Sequence, residues 1–381
     1  MKKTLIRTSL AVAAFGIGIL LFFILLLAGD RSRGPLEDAA TAINLRLAKW
    51  EQQKLLKKKK NSRSDALLWF DAYRQNLADL NQPDTIFLGL YDNRADASLL
   101  VVTELEDSLR FHLPIIHLYT AWGSKSEQAF PLIKAQAILD LGSIPMITWE
   151  PWLDDFDPKL FPIPDRTPDP NKGGLKAIAN GEYDNYLHKW AEDAHKLEGP
   201  FFLRLGHEMN DPYRYPWGPH NNDPADFIAA WRHVVELFRA GGTDNAIWLW
   251  SPHPAYPPFD LFYPGDEYVD WLGVTTLNYG TIAPWSQWWT FDEIFKPCYD
   301  SLSHHDKPIM ITEFGSLSVG GDRTEWFAAA LEALPRDYPA VKGLVFFHNS
   351  SDATTTYKAL DWSILYDEAT LQAIKQSIGA W

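Results

Sequence analysis

The sequence predicts an α/β protein with a (β/α)8 barrel (TIM barrel), and two observations indicate this fold. The first is that short apolar runs alternate with longer stretches of helical periodicity from residue 84 onward. Nearly continuous apolarity is typical of parallel strands that are buried on both faces. Eight such runs are present, which is the number of strands in this barrel: Thr85–Leu90, Pro114–Tyr119, Ile144–Trp149, Pro200–Leu205, Ala246–Trp250, Trp271–Leu277, Pro308–Thr312 and Lys342–Phe347.

The second observation is that polar and aromatic clusters follow these runs, while no comparable enrichment precedes them. In a (β/α)8 barrel the active site lies on the loops after the carboxyl ends of the strands. The third, fourth, sixth and seventh runs are followed by Glu150-Pro151-Trp152, Gly206–Asn210, Asn278-Tyr279-Gly280 and Glu313-Phe314-Gly315. The asymmetry predicts a single site at that end of the barrel.

The segment before the barrel is predicted to contain a membrane anchor. Leu10–Ala28 is free of charged residues and follows Lys2, Lys3 and Arg7. Its length is about that of a helix that crosses the hydrocarbon core of a membrane, roughly 20 residues. The run continues almost to its end without a good cleavage site, which favours an uncleaved signal anchor over a cleaved signal peptide. We expect a catalytic domain on the periplasmic or extracellular side, with secretion after cleavage as the alternative.

The chain is therefore divided into a signal anchor at 1–29, a helical linker at 30–80 and a catalytic barrel at 81–381. Apolar residues recur in the linker at near-helical spacing. The basic run Lys57–Lys60 interrupts this pattern. It suits either anionic lipid headgroups or a solvated helix end, and the sequence leaves both interpretations open.

Composition excludes some functions and favours others. The formal net charge of −14 argues against nucleic acid as a partner, because a phosphate-binding surface needs clustered Lys and Arg. The single cysteine, Cys298, excludes an internal disulfide framework. The 17 Trp, 15 Tyr and 21 Phe suit a cleft that stacks on sugar rings. No motif calls for a cofactor, and Asp165, Asp169 and Asn171 do not match a calcium-loop spacing. We expect a monomeric catalytic domain without a resident metal.

Glu208 and Glu313 are the candidate catalytic residues, because each follows an apolar strand directly. Cleavage of a glycosidic bond needs one carboxylic acid and a second carboxylate. Strand alternation is expected to place Ile309, Ile311 and Glu313 on one face, and to place Arg204 one layer beneath Glu208.

The arginine in this arrangement predicts different roles for the two carboxylates. A buried Arg204 requires an anion, so it is expected to contact Glu313 and keep it ionised as a nucleophile. Glu208, with Trp and Tyr nearby, is expected to have a raised pKa and to act as the acid.

These motifs resemble a known family. The run Arg204-Leu-Gly-His-Glu-Met-Asn210, followed by Trp217-Gly218, resembles the acid/base region of glycoside hydrolase family 26, a family of β-mannanases and β-glucanases. Ile311-Thr-Glu-Phe-Gly315 is similar to its nucleophile strand, and Asn278-Tyr279-Gly280 to the end of its sixth strand. The resemblance covers roughly residues 84–365. It implies a retaining endo-β-glycosidase that hydrolyses an extracellular β-linked polysaccharide.

The resemblance also implies roles for individual residues. Glu208 would be the acid/base and Glu313 the nucleophile, with His207 and Tyr279 positioning the nucleophile by hydrogen bonds. The residues expected to bind substrate are Trp122, Glu150, Trp152, Asn210, Trp217 and Trp285.

One departure from related barrels concerns the end of the eighth strand. Phe347-His348-Asn349 stands there, where related barrels often carry a Trp, so the floor of that subsite is expected to differ. A transglycosylase, or a non-catalytic carbohydrate-binding accessory of exopolysaccharide synthesis or export, are the alternatives.

Overall fold

The computed structural model describes residues 65–381 apart from 97, 164–166, 355 and 357, and also describes Lys54, Lys57, Lys58, Ser62 and Arg63. These residues belong to one compact unit, Gln52–Trp381. The predicted signal anchor lies outside the described residues, as do Asp165 and the second half of the basic run. Within the described part of the chain, no helix is long and apolar enough to cross a membrane.

Eight parallel strands close into a barrel in chain order, and the last pairs with the first, which confirms the predicted fold. Every predicted run overlaps one strand. Several strands extend beyond the predicted runs at their carboxyl ends. The predicted runs end early because they were defined by apolar residues, and most of the last strand residues are polar. The strands are β1 Phe87–Asp92, β2 Ile115–Ala121, β3 Ile144–Glu150, β4 Phe201–Leu205, β5 Ala246–Trp250, β6 Trp271–Asn278, β7 Ile309–Ser316 and β8 Val341–His348.

Helices precede the barrel and cover its outer surface. They are α1 Leu68–Gln75, α2 Leu77–Leu80, α3 Leu100–Leu109, α4 Leu132–Asp140, α5 Gly174–Ala179, α6 Asp184–His195, α7 Pro224–Ala240, α8 Phe291–Leu302, α9 Arg323–Asp337 and α10 Glu368–Ile378. The β5–β6 connection, all of whose residues are described, has two 3-10 turns in place of an α-helix, Phe259–Phe262 and Asp266–Tyr268. Prolines disfavour a helix here because they lack an N–H and clash with the preceding turn: Pro252, Pro254, Pro257, Pro258 and Pro264.

Strand residues divide into an outward set, which packs under the helices, and an inward set, which fills the barrel. Outward aromatic rings stack closely, as Trp149 does on Trp190 with ring centroids 4.0 Å apart. The inward residues near the amino ends of the strands are apolar: Phe87, Ile115, Ile144, Met146, Phe202, Ile247, Leu249, Trp271, Met310 and Val345. Towards the carboxyl ends the inward residues become polar, which places the site there.

The amino end of the barrel is closed by the segment before β1. Phe70 of α1 is fully buried and packs edge-on against Phe87, with ring centroids 5.0 Å apart. Arg63 is fully buried as well, and its guanidinium forms an ion pair of 2.5 Å with Glu106 of α3. The described carboxyl-terminal part of the predicted linker therefore packs as the floor of the barrel.

Candidate active site

A β-bulge aims Glu313 into the barrel. Ile311 pairs with Val274 of β6 and Glu313 pairs with the next residue, Thr275, so Thr312 is the extra residue in β7. Ile309 and Ile311 belong to the outward core, whereas Met310 lies in the inward cluster. The expectation that Glu313 shares a face with the two isoleucines is therefore wrong. A bulge shifts the alternation by one residue, and this one turns Glu313 inward.

Glu313 is held by two donors on the same oxygen. Nη2 of Arg204 donates to Oε1 at 2.6 Å, and the hydroxyl of Tyr119 donates to the same atom at 2.7 Å. Arg204 is fully buried and Glu313 is 8% exposed, so this ion pair is shielded from solvent. The predicted contact between Arg204 and Glu313 is confirmed. Two donors on one oxygen fix the orientation of this carboxylate.

Glu208 is directed by its backbone and not by strand alternation. β4 ends at Leu205, and both Gly206 and Glu208 have left-handed φ angles, of 48° and 53°. A Cβ on Gly206 would face Phe227 and Trp217, outside the barrel, so the strand alternation expected to relate Arg204 to Glu208 does not continue through Gly206. A left-handed conformation is costly for a residue with a side chain. The N–H of Glu208 donates to the carbonyl of Ser251 at 2.7 Å, which helps to hold this turn.

The electrostatic surroundings of Glu208 differ from the expectation. Burial raises the pKa of this carboxyl, but His253, Arg214, a hydrogen bond from Thr275 and the charge of Arg204 together outweigh burial and bring the pKa below that of an ordinary glutamate. Nη1 of Arg214 lies 3.7 Å from Oε2 of Glu208. The prediction of a raised pKa is therefore wrong for the unliganded chain, because Arg214 and His253 were not expected beside this residue.

Glu208, Asp211 and His253 offer three atoms within 4.8 Å of one another, a size that fits a metal ion. The hydrogen bonds of His253 do not fit that role. Its Nδ1 accepts the N–H of Ala255 at 3.1 Å, which places a ring proton on Nε2. A ring in this state offers Nε2 as a hydrogen-bond donor and not as a metal ligand.

Glu150 is a third carboxylate of the site. It ends β3, and Nε1 of Trp152 donates to its Oε2 at 3.2 Å. Burial raises its pKa to about 6, and the charge of Glu313 adds to this effect while Arg204 opposes it. The ring of Trp152 is half-buried and meets Trp217 edge-on, with centroids 5.5 Å apart. Both residues therefore belong to the carboxyl end of the barrel, and their contact with substrate stays a prediction.

Two of the residues predicted around the carboxylates have other contacts. Nε2 of His207 is hydrogen-bonded to the hydroxyl of Tyr215 at 3.0 Å, and its Nδ1 has no hydrogen-bond partner among the described residues. The expected hydrogen bond between His207 and Glu313 is therefore not formed. Burial and Arg204 bring the pKa of His207 well below its ordinary value. Trp217 is 2% exposed and donates to the carbonyl of His207 at 2.7 Å, so it supports the loop and has no face for a sugar.

The remaining predicted residues divide into buried and exposed groups. Trp122 is fully buried beside Trp149, and both ends of the Asn210 amide tie the β4 loop to His253. Neither side chain is available for substrate. Trp285 is 61% exposed and packs edge-on against Tyr279, with ring centroids 5.2 Å apart. These two rings are placed to line the mouth of the barrel.

The sequence interpretation missed Tyr119, Arg214 and His253. Tyr119 lies on β2, and its side chain shares the inward face with His117, so strand alternation could have identified it. His253 follows β5 in a polar cluster that resembles the others. Arg214 had no recognisable signal, because it lies in an irregular loop well after β4.

Comparisons with known proteins identify the family that the chain resembles. A model of glycosyl hydrolase family 26 matches residues 171–298. Endoglucanase H of Acetivibrio thermocellus is 33% identical over 277 residues, 70% of this chain and 28% of that protein. Beta-1,3-xylanase TXYA of a Vibrio species is 30% identical over 151 residues, 37% of this chain and 29% of that protein. The solved structure of Bacillus subtilis mannanase man26 covers 77% of this chain and 87% of its own, at 19% identity and a TM-score of 0.53, and supports the barrel fold.

The chain belongs to glycosyl hydrolase family 26. Its sequence spans under a third of the length of the two curated relatives, 28% and 29%. In this family 26 chain the loop after β8 supplies a Trp near the end of that strand. Trp362 is 1% exposed, lies edge-on to Tyr279 with centroids 5.0 Å apart, and donates to Asp352 at 3.0 Å. A Trp is therefore present beneath the mouth, but it is supplied from a different position in the sequence.

Proposed function

We propose that the chain is a retaining endo-β-glycosidase that hydrolyses a β-linked polysaccharide of the glucan or mannan type by double displacement. Glu313 is the nucleophile and Glu208 the acid/base. The observation that carries the proposal is the fixation of one oxygen of Glu313 by Arg204 and Tyr119. The relatives support the substrate class, since their names describe an endoglucanase, a xylanase and a mannanase.

The first half of the reaction uses both carboxylates. Oε2 of Glu313 attacks the anomeric carbon while Glu208 donates its proton to the leaving oxygen, so the glycosidic bond breaks and an ester forms. Arg204 keeps Glu313 ionised, because a buried guanidinium beside a carboxylate favours its charged form. Tyr119 restricts rotation of the carboxylate and thereby directs Oε2 at the sugar.

The second half of the reaction reverses the role of Glu208. Its carboxylate accepts a proton from water, the water attacks the anomeric carbon, and the ester to Glu313 breaks. The lowered pKa of Glu208 in the unliganded chain favours this base form. For the first half, a bound sugar that separates Glu208 from Arg214 would remove the stabilising cation and favour the protonated form.

The test is a panel of polysaccharides with the full chain: mixed-linkage β-glucan, carboxymethyl cellulose, β-1,3-xylan and glucomannan. We expect release of reducing sugar from at least one of the glucans or the glucomannan. Glu208→Gln and Glu313→Gln should both abolish it, while Glu332→Gln on the exposed face of α9 should not. Wild-type protein that binds these polymers without cleaving them would identify a non-catalytic carbohydrate-binding protein. Sugar transfer to an added acceptor in preference to water would identify a transglycosylase.

We also propose that Leu10–Ala28 anchors the chain in a membrane with the barrel on the outer side. The support is the charge-free apolar run after Lys2, Lys3 and Arg7. The full chain should remain in the membrane pellet after alkaline carbonate extraction, and a variant without residues 1–29 should not. A full chain that appears in the medium with a new amino terminus would show secretion after cleavage.

A further inference from the structure

The loops after β4 and β8 meet across the mouth of the barrel. The strands follow one another in chain order around a closed ring of eight, so β4 and β8 lie on opposite sides. Nη2 of Arg214, in the β4 loop, donates to Oγ1 of Thr354, in the β8 loop, at 2.9 Å. The contact joins opposite sides of the mouth beside Glu208, since Nη1 of the same arginine lies 3.7 Å from Oε2 of that residue. We call Arg214 and Thr354 the mouth bridge.

The arginine of the bridge is fixed on its own side. Its Cζ lies 4.9 Å from the centre of the Tyr215 ring, a cation–π distance. Oδ1 of Asp211 accepts the N–H groups of Tyr213 and Arg214 at 2.8 and 3.3 Å, which holds the turn that carries the side chain. Nη1 is 3.7 Å from Oε2 of Glu208. The guanidinium therefore lies directly beside one of the two catalytic carboxylates.

The threonine of the bridge is oriented from the other side. Its hydroxyl donates to Oδ1 of Asp352 at 2.6 Å, so a lone pair of Oγ1 remains for the arginine. Asp352 in turn accepts Nε1 of Trp362 at 3.0 Å and pairs with Leu360 through its backbone. Since Trp362 is buried, the acceptor end of the bridge is anchored in the core of the β8 loop.

We propose that the mouth bridge determines which part of a polysaccharide chain reaches Glu208 and Glu313. The inference rests on the proposed glycosidase function. An internal segment of a polymer must extend past the reacting bond in both directions, whereas a chain end must extend in only one. A side chain that spans the mouth beside Glu208 obstructs one of these directions. The closed bridge admits chain ends and short oligosaccharides, and internal segments enter when the bridge opens.

The test compares two substrates of one linkage type in the full chain. The kcat/KM for mixed-linkage β-glucan is divided by the kcat/KM for 4-nitrophenyl β-cellotrioside, which cancels differences in the amount of folded enzyme. Thr354→Val removes the acceptor without changing the shape of the side chain. We expect it to raise this ratio roughly fivefold, since the loss of one hydrogen bond to a charged donor changes an equilibrium by about that factor or more. Thr354→Ser, which keeps the hydroxyl, should restore the wild-type ratio.

An unchanged ratio in Thr354→Val, or an equal rise in Thr354→Ser, would overturn the role of the bridge. Wild-type protein that hydrolyses neither substrate would instead contradict the proposed function. In that case the bridge is tested without turnover, by electrophoresis in gels that contain mixed-linkage β-glucan. Stronger retardation of Thr354→Val than of wild type and Thr354→Ser would support the bridge, and equal retardation of all three would overturn it.

Discussion

The two ends of the barrel interior are filled by side chains of opposite chemical character. At the amino end the inward side chains are apolar, and Phe70 of α1 closes the barrel over Phe87. At the carboxyl end the inward side chains are charged or polar, and Arg204, Glu208 and Glu313 are all nearly or fully buried. Apolar burial stabilises a fold, whereas buried charges cost free energy unless they are paired.

The apolar amino end contributes stability, whereas the irregular backbone lies at the carboxyl end. The bulge in β7 and the left-handed φ of Glu208 are both at the carboxyl end, and each directs one of the two carboxylates that we propose as catalytic. The amino end also has a buried ion pair between Arg63 and Glu106. This pair joins the segment before the barrel to α3 and lies away from the mouth of the barrel. Changes at the two ends should therefore separate activity from stability.

The largest effect is expected for Glu313→Ala at the carboxyl end. Removal of the nucleophile should lower kcat by on the order of 10⁴-fold or more. It also leaves Arg204 buried without a counter-charge, which should lower the free energy of unfolding by about 3 kcal/mol. Initial rates and urea denaturation measure the two effects. A variant that loses activity but unfolds like wild type would show that the ion pair contributes no net stability.

A change at the amino end should affect stability alone. Arg63→Ala removes the buried cation beside Glu106 and leaves that carboxylate only His112 and the N–H of Leu113 as partners, which should cost about 3 kcal/mol of unfolding free energy. The kcat of the folded protein at low temperature should remain at the wild-type value, because Arg63 contacts nothing at the mouth. Arg336→Ala, on an exposed pair, is the matched control and should stay within about 0.5 kcal/mol of wild type. A change in kcat for Arg63→Ala would mean that the two ends are coupled.

Glu150 provides a pH-dependent test of the carboxyl end. Its pKa in the folded chain is raised to about 6 from an ordinary 4.5. The stability that it contributes is therefore present below pH 4.5 and is lost as the pH rises through 6. Glu150→Gln should gain about 1–2 kcal/mol of unfolding free energy relative to wild type between pH 4.5 and 7. Glu104→Gln, on the exposed face of α3, should show no such gain, and equal behaviour of both variants would contradict the burial of Glu150.

The smallest effect concerns the backbone of Glu208. Both Glu208→Ala and Glu208→Gly remove the carboxylate, so both should lose activity equally. Glycine adopts a left-handed φ without strain, so Glu208→Gly should be more stable than Glu208→Ala by about 1 kcal/mol. The same pair at Glu332, inside helix α9, should show the opposite order by about the same amount. An alanine variant as stable as the glycine variant at position 208 would show that the turn carries no strain.

The fold and the burial of Glu208 and Glu313 at the carboxyl end of the barrel could be predicted from sequence, because apolar periodicity and the position of polar residues after strands are local signals. The side of the chain from which each carboxylate points could not be predicted. A bulge at Thr312 and a left-handed residue at 208 each break the alternation on which that inference depended, and neither has a marker in one sequence. The contact between Arg204 and Glu313 was nevertheless correct, because a buried cation restricts the position of its partner.

The surroundings of the aromatic residues were harder to predict than the positions of the two carboxylates. Aromatic residues are abundant, and sequence position does not show whether a ring packs under a helix, as Trp122 does, or faces the mouth, as Trp285 does. The mouth bridge joins residues that are 140 positions apart through irregular loops. Contacts of this kind depend on the conformations of two irregular loops, which no local pattern encodes.

The most direct test of the central claim is to trap the covalent intermediate. The full chain is incubated with a 2-deoxy-2-fluoro β-cellotrioside that carries a dinitrophenyl leaving group, and the digested protein is mapped by mass spectrometry. The fluorine slows the second half of the reaction, so the ester should accumulate on the nucleophile. We expect one added trisaccharide, on the peptide that contains Glu313, and no label in Glu313→Gln. Wild-type enzyme that hydrolyses the polymer but carries the label on another residue, or releases the α-anomer first, would contradict the assignment.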